Sequence, residues 1–123
     1  MFNFEKLDVW QEAIAFSDLI YQLTSRFPAD ERFGLVNQLR RAVVSIAANI
    51  AEGSSRSSLK EFLRFVEVAY GSLIETVSHC AIARRQGFLQ DEEYKLVYAQ
   101  AEKLGRMLSG LRQSLRRDSA SQP

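Results

Sequence analysis

The sequence predicts an all-α protein, an antiparallel up-down-up-down four-helix bundle. Four long stretches repeat their apolar residues at three- and four-residue steps, and short connections separate these stretches. The stretch from Gln38 to Gly53 is apolar around more than half of a helical circumference, so this helix has packed neighbours on at least two sides. Short connections make consecutive helices antiparallel. We expect a single bundle domain over residues 1–117 and a disordered tail over 118–123, because the residues after Arg117 have nothing to bury.

The first helix is predicted from about Lys6 to Arg26. Its core stripe consists of Val9, Ala13, Phe16, Ile20, Leu23 and Phe27. A second stripe on a separate side, called the aromatic stripe below, consists of Leu7, Trp10, Ile14 and Tyr21. Because one bundle core uses only one stripe, the second is predicted to be an oligomer interface. The alternative is that Phe2 and Phe4 fold over it.

The second helix is predicted from about Glu31 to Glu52. Pro28 disfavours helical backbone in the residue before it, and Asp30 is expected to cap the new helix. Gly53 is expected to end it as a left-handed terminating residue. The core residues of this helix are Leu35, Val36, Leu39, Ala42, Val43, Ile46, Ala47 and Ile50.

The third helix is predicted to begin after Ser58, which forms a capping box with Glu61, and to run to about Arg85. Gly87 is its expected terminating residue. Its apolar face consists of Leu59, Phe62, Leu63, Val66, Ala69, Tyr70, Leu73, Ile74, Val77, Cys80 and Ala81.

The fourth helix is predicted to start at Asp91, where negative charge suits the helix dipole. Its core face consists of Tyr94, Val97, Ala101, Leu104, Leu108, Leu111 and Leu115. Gly105 and Gly110 each cost about 1 kcal/mol of helix stability relative to alanine. They therefore indicate either close packing or a weaker final stretch.

Composition narrows the class of protein. The single Cys80 excludes an intramolecular disulfide framework and a multi-cysteine metal site, which fits a cytoplasmic location. No signal peptide and no membrane-spanning run is recognised. Sixteen basic and fifteen acidic residues make the chain nearly neutral, so only the placement of charge bears on partners.

Many short segments together carry a family resemblance: Phe4-Glu5-Lys6-Leu7-Asp8-Val9-Trp10-Gln11-Glu12-Ala13, Ile20-Tyr21, Phe27-Pro28, Phe33-Gly34-Leu35, Gln38-Leu39-Arg40-Arg41-Ala42, Ser45-Ile46-Ala47-Ala48-Asn49-Ile50-Ala51-Glu52-Gly53, Arg56, Glu61-Phe62, Ala69-Tyr70-Gly71-Ser72 and Glu75. With them the chain resembles the 23S rRNA intervening-sequence protein family, small bacterial four-helix bundle proteins. The resemblance covers about residues 4–89, and the fourth helix matches only in pattern.

The resemblance implies a homopentamer with no established enzymatic activity. A related group, the accessory protein of diversity-generating retroelements, is similar in fold, forms a basic pentamer and works with a reverse transcriptase and nucleic acid. This chain departs from that basic pattern because it is close to neutral.

Eight arginines are candidate nucleic-acid contacts: Arg40, Arg41, Arg84, Arg85, Arg106, Arg112, Arg116 and Arg117. Arg40 falls on the apolar arc of its helix, so it must pair or snorkel. Its predicted partner is Glu67, Glu75 or a neighbouring subunit; contact with nucleic acid is the alternative. Arginines near helix C-termini are also expected from the helix dipole alone. Symmetry would gather them into a larger positive surface.

Catalytic chemistry is not indicated. No glycine-rich phosphate loop follows a strand, and His79 and Cys80 diverge by about 100° on a helix. Cys80 is expected to be an inert core residue and Asn49 a buried hydrogen-bonding group. We therefore predict a non-enzymatic oligomeric bundle without cofactor or metal that binds RNA or DNA through its arginine clusters. The alternative is a protein-interaction scaffold with no nucleic-acid role.

Overall fold

The computed structural model describes residues 1–121, in which four long helices follow one another. They are α1 (Asp8–Thr24), α2 (Leu35–Ser54), α3 (Leu59–Arg85) and α4 (Asp91–Ser119). Short 3-10 helices at Asn3–Lys6 and Ala29–Glu31 precede α1 and α2.

The helices form a ring in chain order. Each packs on the next and α1 also packs on α4, whereas the diagonal pairs α1–α3 and α2–α4 have no Cα atoms within 8 Å of each other in the described residues. Arg26, just after α1, pairs with Glu93 in the first turn of α4, so these two helices run in opposite directions. The predicted antiparallel four-helix bundle is confirmed.

The core lies along the centre of this ring. The whole predicted core stripe of α1 is buried, and every predicted core residue of α2 is buried except the half-buried Leu35. Helix α2 contacts both α1 and α3, as its wide apolar arc predicts. The largest fully buried side chains are Phe16, Ile20, Leu39, Ile46, Ile50, Leu73, Leu104 and Leu108.

The start of α2 differs from the prediction. The helix begins at Leu35, four residues after Glu31, because a 3-10 turn and Gly34 intervene. The carboxylate of Glu31 accepts a hydrogen bond from the Leu35 amide at 3.3 Å. Glu31 therefore satisfies the first amide of the helix, the role that was predicted for Asp30.

Gly53 does not terminate α2. It lies inside the helix, which ends at Ser54, and it has no positive φ. A Cβ at Gly53 would lie 2.7 Å from Cβ of Phe65 and 2.9 Å from Cδ1 of Phe62. The prediction of a left-handed terminator is wrong, because close packing against α3 is what requires glycine here.

The other helix ends agree closely with the sequence. Ser58 Oγ accepts from the Glu61 amide at 3.1 Å, which is one of the two hydrogen bonds of the predicted capping box, and the return bond to the Glu61 carboxylate is not formed among the described residues. Helix α3 ends at Arg85, and Gly87 has a φ of 82°. Helix α4 starts at Asp91 and continues to Ser119, two residues beyond the predicted end of the domain at Arg117. Residues 122–123 of the predicted tail lie outside the described residues.

Candidate interaction surfaces

The aromatic stripe of α1 divides into a covered and an open half. Leu7 and Trp10 are half-buried, and the Phe4 ring packs edge-on against Trp10 with ring centroids 4.9 Å apart. At this end the N-terminal segment folds over the stripe, as the alternative predicted. Ile14 and Tyr21, farther along α1, keep 37% and 41% of their surface exposed. Only the second half of the stripe is therefore available to a partner.

Arg40 joins α2 to the end of α1 on this side of the bundle. Its Nε donates to Thr24 Oγ1 at 3.0 Å, and its Nη2 donates to the Tyr21 carbonyl at 3.4 Å. Its guanidinium carbon lies 4.5 Å from the centroid of the Tyr21 ring. The predicted pairing with Glu67 or Glu75 is wrong, because Arg40 donates instead to a hydroxyl and a carbonyl in the last turn of α1, where the helix dipole favours a cation.

The opposite side of the bundle carries a groove between α3 and α4, called the α3–α4 groove below. It has a volume of about 790 Å³ and its apolar lining includes Leu73, Val77 and Ala101. Ile74 and Tyr98 line it while remaining 53% and 47% exposed. Ile74, predicted on the apolar face of α3, therefore faces this groove and not the core.

Arginine–tyrosine stacks mark the two ends of the groove. The guanidinium carbon of Arg84 lies 4.1 Å from the Tyr94 ring centroid, and that of Arg112 lies 4.5 Å from the Tyr70 centroid. Both tyrosines line the groove. Arg112 Nε is buried and has no hydrogen-bond partner within residues 1–121. These arginines are therefore held by packing against aromatic rings.

The candidate nucleic-acid arginines do not gather on one surface. Arg84 and Arg85 end α3, whereas Arg116 and Arg117 end the antiparallel α4 at the other end of the bundle. Arg116 lies 3.8 Å from Glu67, and Arg117 lies 3.5 Å from Asp118.

Three of the eight candidate arginines are exposed and have, within residues 1–121, neither a carboxylate within 4.0 Å nor a stacked aromatic ring: Arg41, Arg85 and Arg106. The other five contact a carboxylate, a hydroxyl, a carbonyl or an aromatic ring of the same chain.

The histidine and the cysteine have separate surroundings. His79 Nε2 lies 3.2 Å from Glu75 Oε2, and no third metal-binding side chain joins them among the described residues. Cys80 is buried in the core, and burial raises the pKa of its thiol to about 12. The thiol is thus uncharged near neutral pH and poorly nucleophilic.

Sequence reasoning missed the α3–α4 groove. The available signal was Tyr98, a large ring outside the core periodicity of α4. Glu102, Arg106 and Gly105 line the same groove. None of the described helices is both long and apolar enough to cross a membrane.

Comparisons with known proteins identify relatives of the whole bundle. A family model described as 23S rRNA-intervening sequence protein matches residues 5–110, and so extends into α4 beyond the resemblance seen over residues 4–89. A crystal structure of a protein with unknown function from the S23 ribosomal protein family of Bacteroides thetaiotaomicron matches with a TM-score of 0.78 and 21% identity. The match covers 85% of this chain and 97% of that one. The search of curated proteins found no match.

Proposed function

This chain belongs to the 23S rRNA-intervening sequence protein family, and we propose that it works as a non-enzymatic helical module that associates with copies of itself. The observation that supports this proposal is the open half of the aromatic stripe. Ile14 and Tyr21 are two turns apart on one face of α1, are more than one third exposed and have no role in the core. Burying such side chains between subunits removes apolar surface from water and favours association.

The subunit count implied by the resemblance is five. A ring of five copies would repeat the surface of one chain around an axis. A few exposed apolar or charged side chains on each chain would then form a fivefold larger set on the assembly. We propose that the open half of the aromatic stripe forms the contact between subunits of this ring. The assembled ring would then act as a protein-interaction scaffold.

Size-exclusion chromatography with light scattering tests self-association. We expect the wild-type protein to exceed the 14.0 kDa mass of one chain and to dissociate on dilution. Ile14→Asp should favour the monomer, because a carboxylate would then have to be buried without a partner. Ala15→Asp is the matched control, since Ala15 is exposed on α1 and lies outside the stripe. A wild-type protein that stays monomeric at all concentrations would overturn the proposal.

Nucleic-acid binding is the second candidate function, favoured by the three exposed arginines that have neither a carboxylate nor an aromatic partner among residues 1–121. Five copies of Arg41, Arg85 and Arg106 would present fifteen such cations. Phosphate binding strengthens with the number of cations engaged. This function is placed second for two reasons. The other five candidate arginines already have partners inside the chain, and the chain as a whole is nearly neutral.

Binding to an RNA hairpin and a DNA duplex of equal length, at low and moderate salt, tests the second function. We expect affinity to fall steeply with salt and the slope to decrease in Arg41→Ala and Arg85→Ala. Arg117→Ala is the control, because Arg117 already pairs with Asp118. Absence of binding at low salt would leave the scaffold function alone.

A further inference from the structure

We propose that the α3–α4 groove of one copy receives the open half of the aromatic stripe of the next copy. The contact would be heterologous, joining two different surfaces of the same chain. This inference rests on the proposed self-association and names the surface that the stripe meets.

The groove has features of a docking site for a helix. Ile74 and Tyr98 expose about half of their apolar surface along it. Gly105 and Gly110 also line it, and neither is needed for packing within the chain. A Cβ at Gly105 would meet only Leu73 at an ordinary 3.5 Å, and one at Gly110 would meet nothing within 4 Å. Glycines in a groove that packing within the chain does not require allow the backbone of a partner helix to approach closely.

The open half of the stripe has the spacing of a docking helix. Ile14 and Tyr21 are seven residues apart, one of the spacings by which an amphipathic helix anchors in a groove. The stripe lies on the α1–α2 side, as the stacking of Arg40 on Tyr21 shows, and the groove lies on the opposite α3–α4 side. A chain therefore cannot place its stripe in its own groove, and only another copy can supply it.

Charge also matches between the two surfaces. Asp18 is exposed on α1 between Ile14 and Tyr21, and no cation lies within 4.0 Å of it in the described residues. Arg106 lines the groove and equally has no carboxylate within 4.0 Å in the part of the chain that the structure describes. An Asp18–Arg106 contact between copies would pair both charges. Glu102 in the groove disfavours nucleic acid as the occupant, because its carboxylate repels phosphate.

A mixing experiment distinguishes this contact from other modes of self-association. Ile14→Asp damages the stripe and leaves the groove, whereas Ile74→Asp damages the groove and leaves the stripe. We expect each variant alone to be monomeric at a concentration where the wild-type protein associates. An equimolar mixture should form a 1:1 heterodimer with twice the 14.0 kDa mass of one chain, because one intact interface remains between the two variants.

Ile82→Asp is the matched control, since Ile82 is a similarly exposed residue of α3 that does not line the groove. It should retain the wild-type mass. Circular dichroism and thermal unfolding of each variant verify that the bundle is folded. Because Ile14, Ile74 and Ile82 are all exposed in the monomer, we expect all three variants to fold.

The charge contact has its own test. Asp18→Arg and Arg106→Asp should each raise the dissociation constant of the assembly several-fold, and the chain carrying both substitutions should recover wild-type affinity. Failure of the double substitution to recover it would overturn the Asp18–Arg106 contact.

Different outcomes would exclude self-association and the heterologous contact. If Ile74→Asp keeps the wild-type mass while Ile14→Asp dissociates, self-association through the stripe stands and the groove is excluded. A mixture of the two variants that stays monomeric also overturns the heterologous contact. A wild-type protein that never associates overturns the proposed function together with this inference.

Discussion

Helix α3 packs against α2 on one side and against α4 on the other, and the two sides are built differently. On the α2–α3 side, Gly53 brings the two backbones so close that a methyl group has no room beside Phe65. On the α3–α4 side, Gly105 and Gly110 have room for a methyl group, and an open groove lies beside them. The same residue type therefore closes one side of the bundle and leaves the other open.

Polar side chains repeat this contrast. Across α2–α3, Ser45 Oγ and Ser72 Oγ lie 2.9 Å apart, and within α2 Asn49 Nδ2 donates to the Ser45 carbonyl at 2.8 Å and to the same Ser45 Oγ at 2.9 Å. Across α3–α4, Arg84 and Arg112 stack on tyrosines, and Arg112 Nε has no hydrogen-bond partner among the described residues. A side with satisfied short hydrogen bonds is specified from within the chain. The other side has capacity left for a partner.

The largest expected effect is at Gly53. Gly53→Ala should lower the free energy of unfolding by about 1–3 kcal/mol, because overpacking outweighs the better helix propensity of alanine. Denaturant titration should be done at a concentration where the wild-type protein is monomeric. Gly71→Ala is the control, since a Cβ at Gly71 would meet nothing within 4 Å. Equal stability changes in the two variants would contradict the steric role of Gly53.

Ser45→Ala should have the next largest effect. It removes the hydroxyl that contacts both Asn49 and Ser72, and we expect a loss of about 1 kcal/mol in the free energy of unfolding. The same titration with Ser78→Ala gives the comparison, because Ser78 lies exposed at the groove. If Ser78→Ala costs as much as Ser45→Ala, the polar contacts between α2 and α3 are not what distinguishes the two sides.

Gly110→Ala should stabilise the monomer. Nothing lies within 4 Å of the added Cβ, so only helix propensity changes, and the free energy of unfolding should rise by about 0.5–1 kcal/mol. Thermal unfolding measures the gain as a higher Tm. A lower Tm would mean that this part of α4 is packed like Gly53, and the contrast between the two sides would disappear.

Arg112→Met should have the smallest effect. It removes the stack on Tyr70, worth about 0.5–1 kcal/mol at an exposed site. It also removes a buried Nε that has no hydrogen-bond partner, which offsets that loss. We expect the free energy of unfolding to change by less than about 0.5 kcal/mol, within the range of ordinary surface substitutions. A loss above 1 kcal/mol in denaturant titration would show that the open side depends on this arginine.

The helices were predictable because their signals are local. Apolar periodicity depends on residues three or four apart, and the Ser58 cap depends on Glu61 three residues away. The role of Gly53 was not predictable in this way, because Phe62 and Phe65 reach it from the next helix. A glycine before a serine-rich turn is locally indistinguishable from a helix terminator.

The interaction surfaces were predictable only in part, for the same reason. The aromatic stripe lies on one helix, and its apolar spacing is visible in the sequence. The α3–α4 groove depends on the register between two helices, so its members are spread from Tyr70 to Gln113. The hydrogen-bond partners of Arg40 also lie on another helix, α1. The sequence predicted Glu67 and Glu75 on α3 because these residues carry the opposite charge.

The packing of Phe4 on Trp10 gives the chain a built-in optical reporter. Trp10 is the one tryptophan among the 123 residues, and its ring contacts the short segment that precedes α1. Its fluorescence emission therefore reports whether residues 3–6 are docked, while circular dichroism at 222 nm reports the four helices. Detachment of the N-terminal segment can thus be followed separately from unfolding, in a protein whose helices remain fully formed.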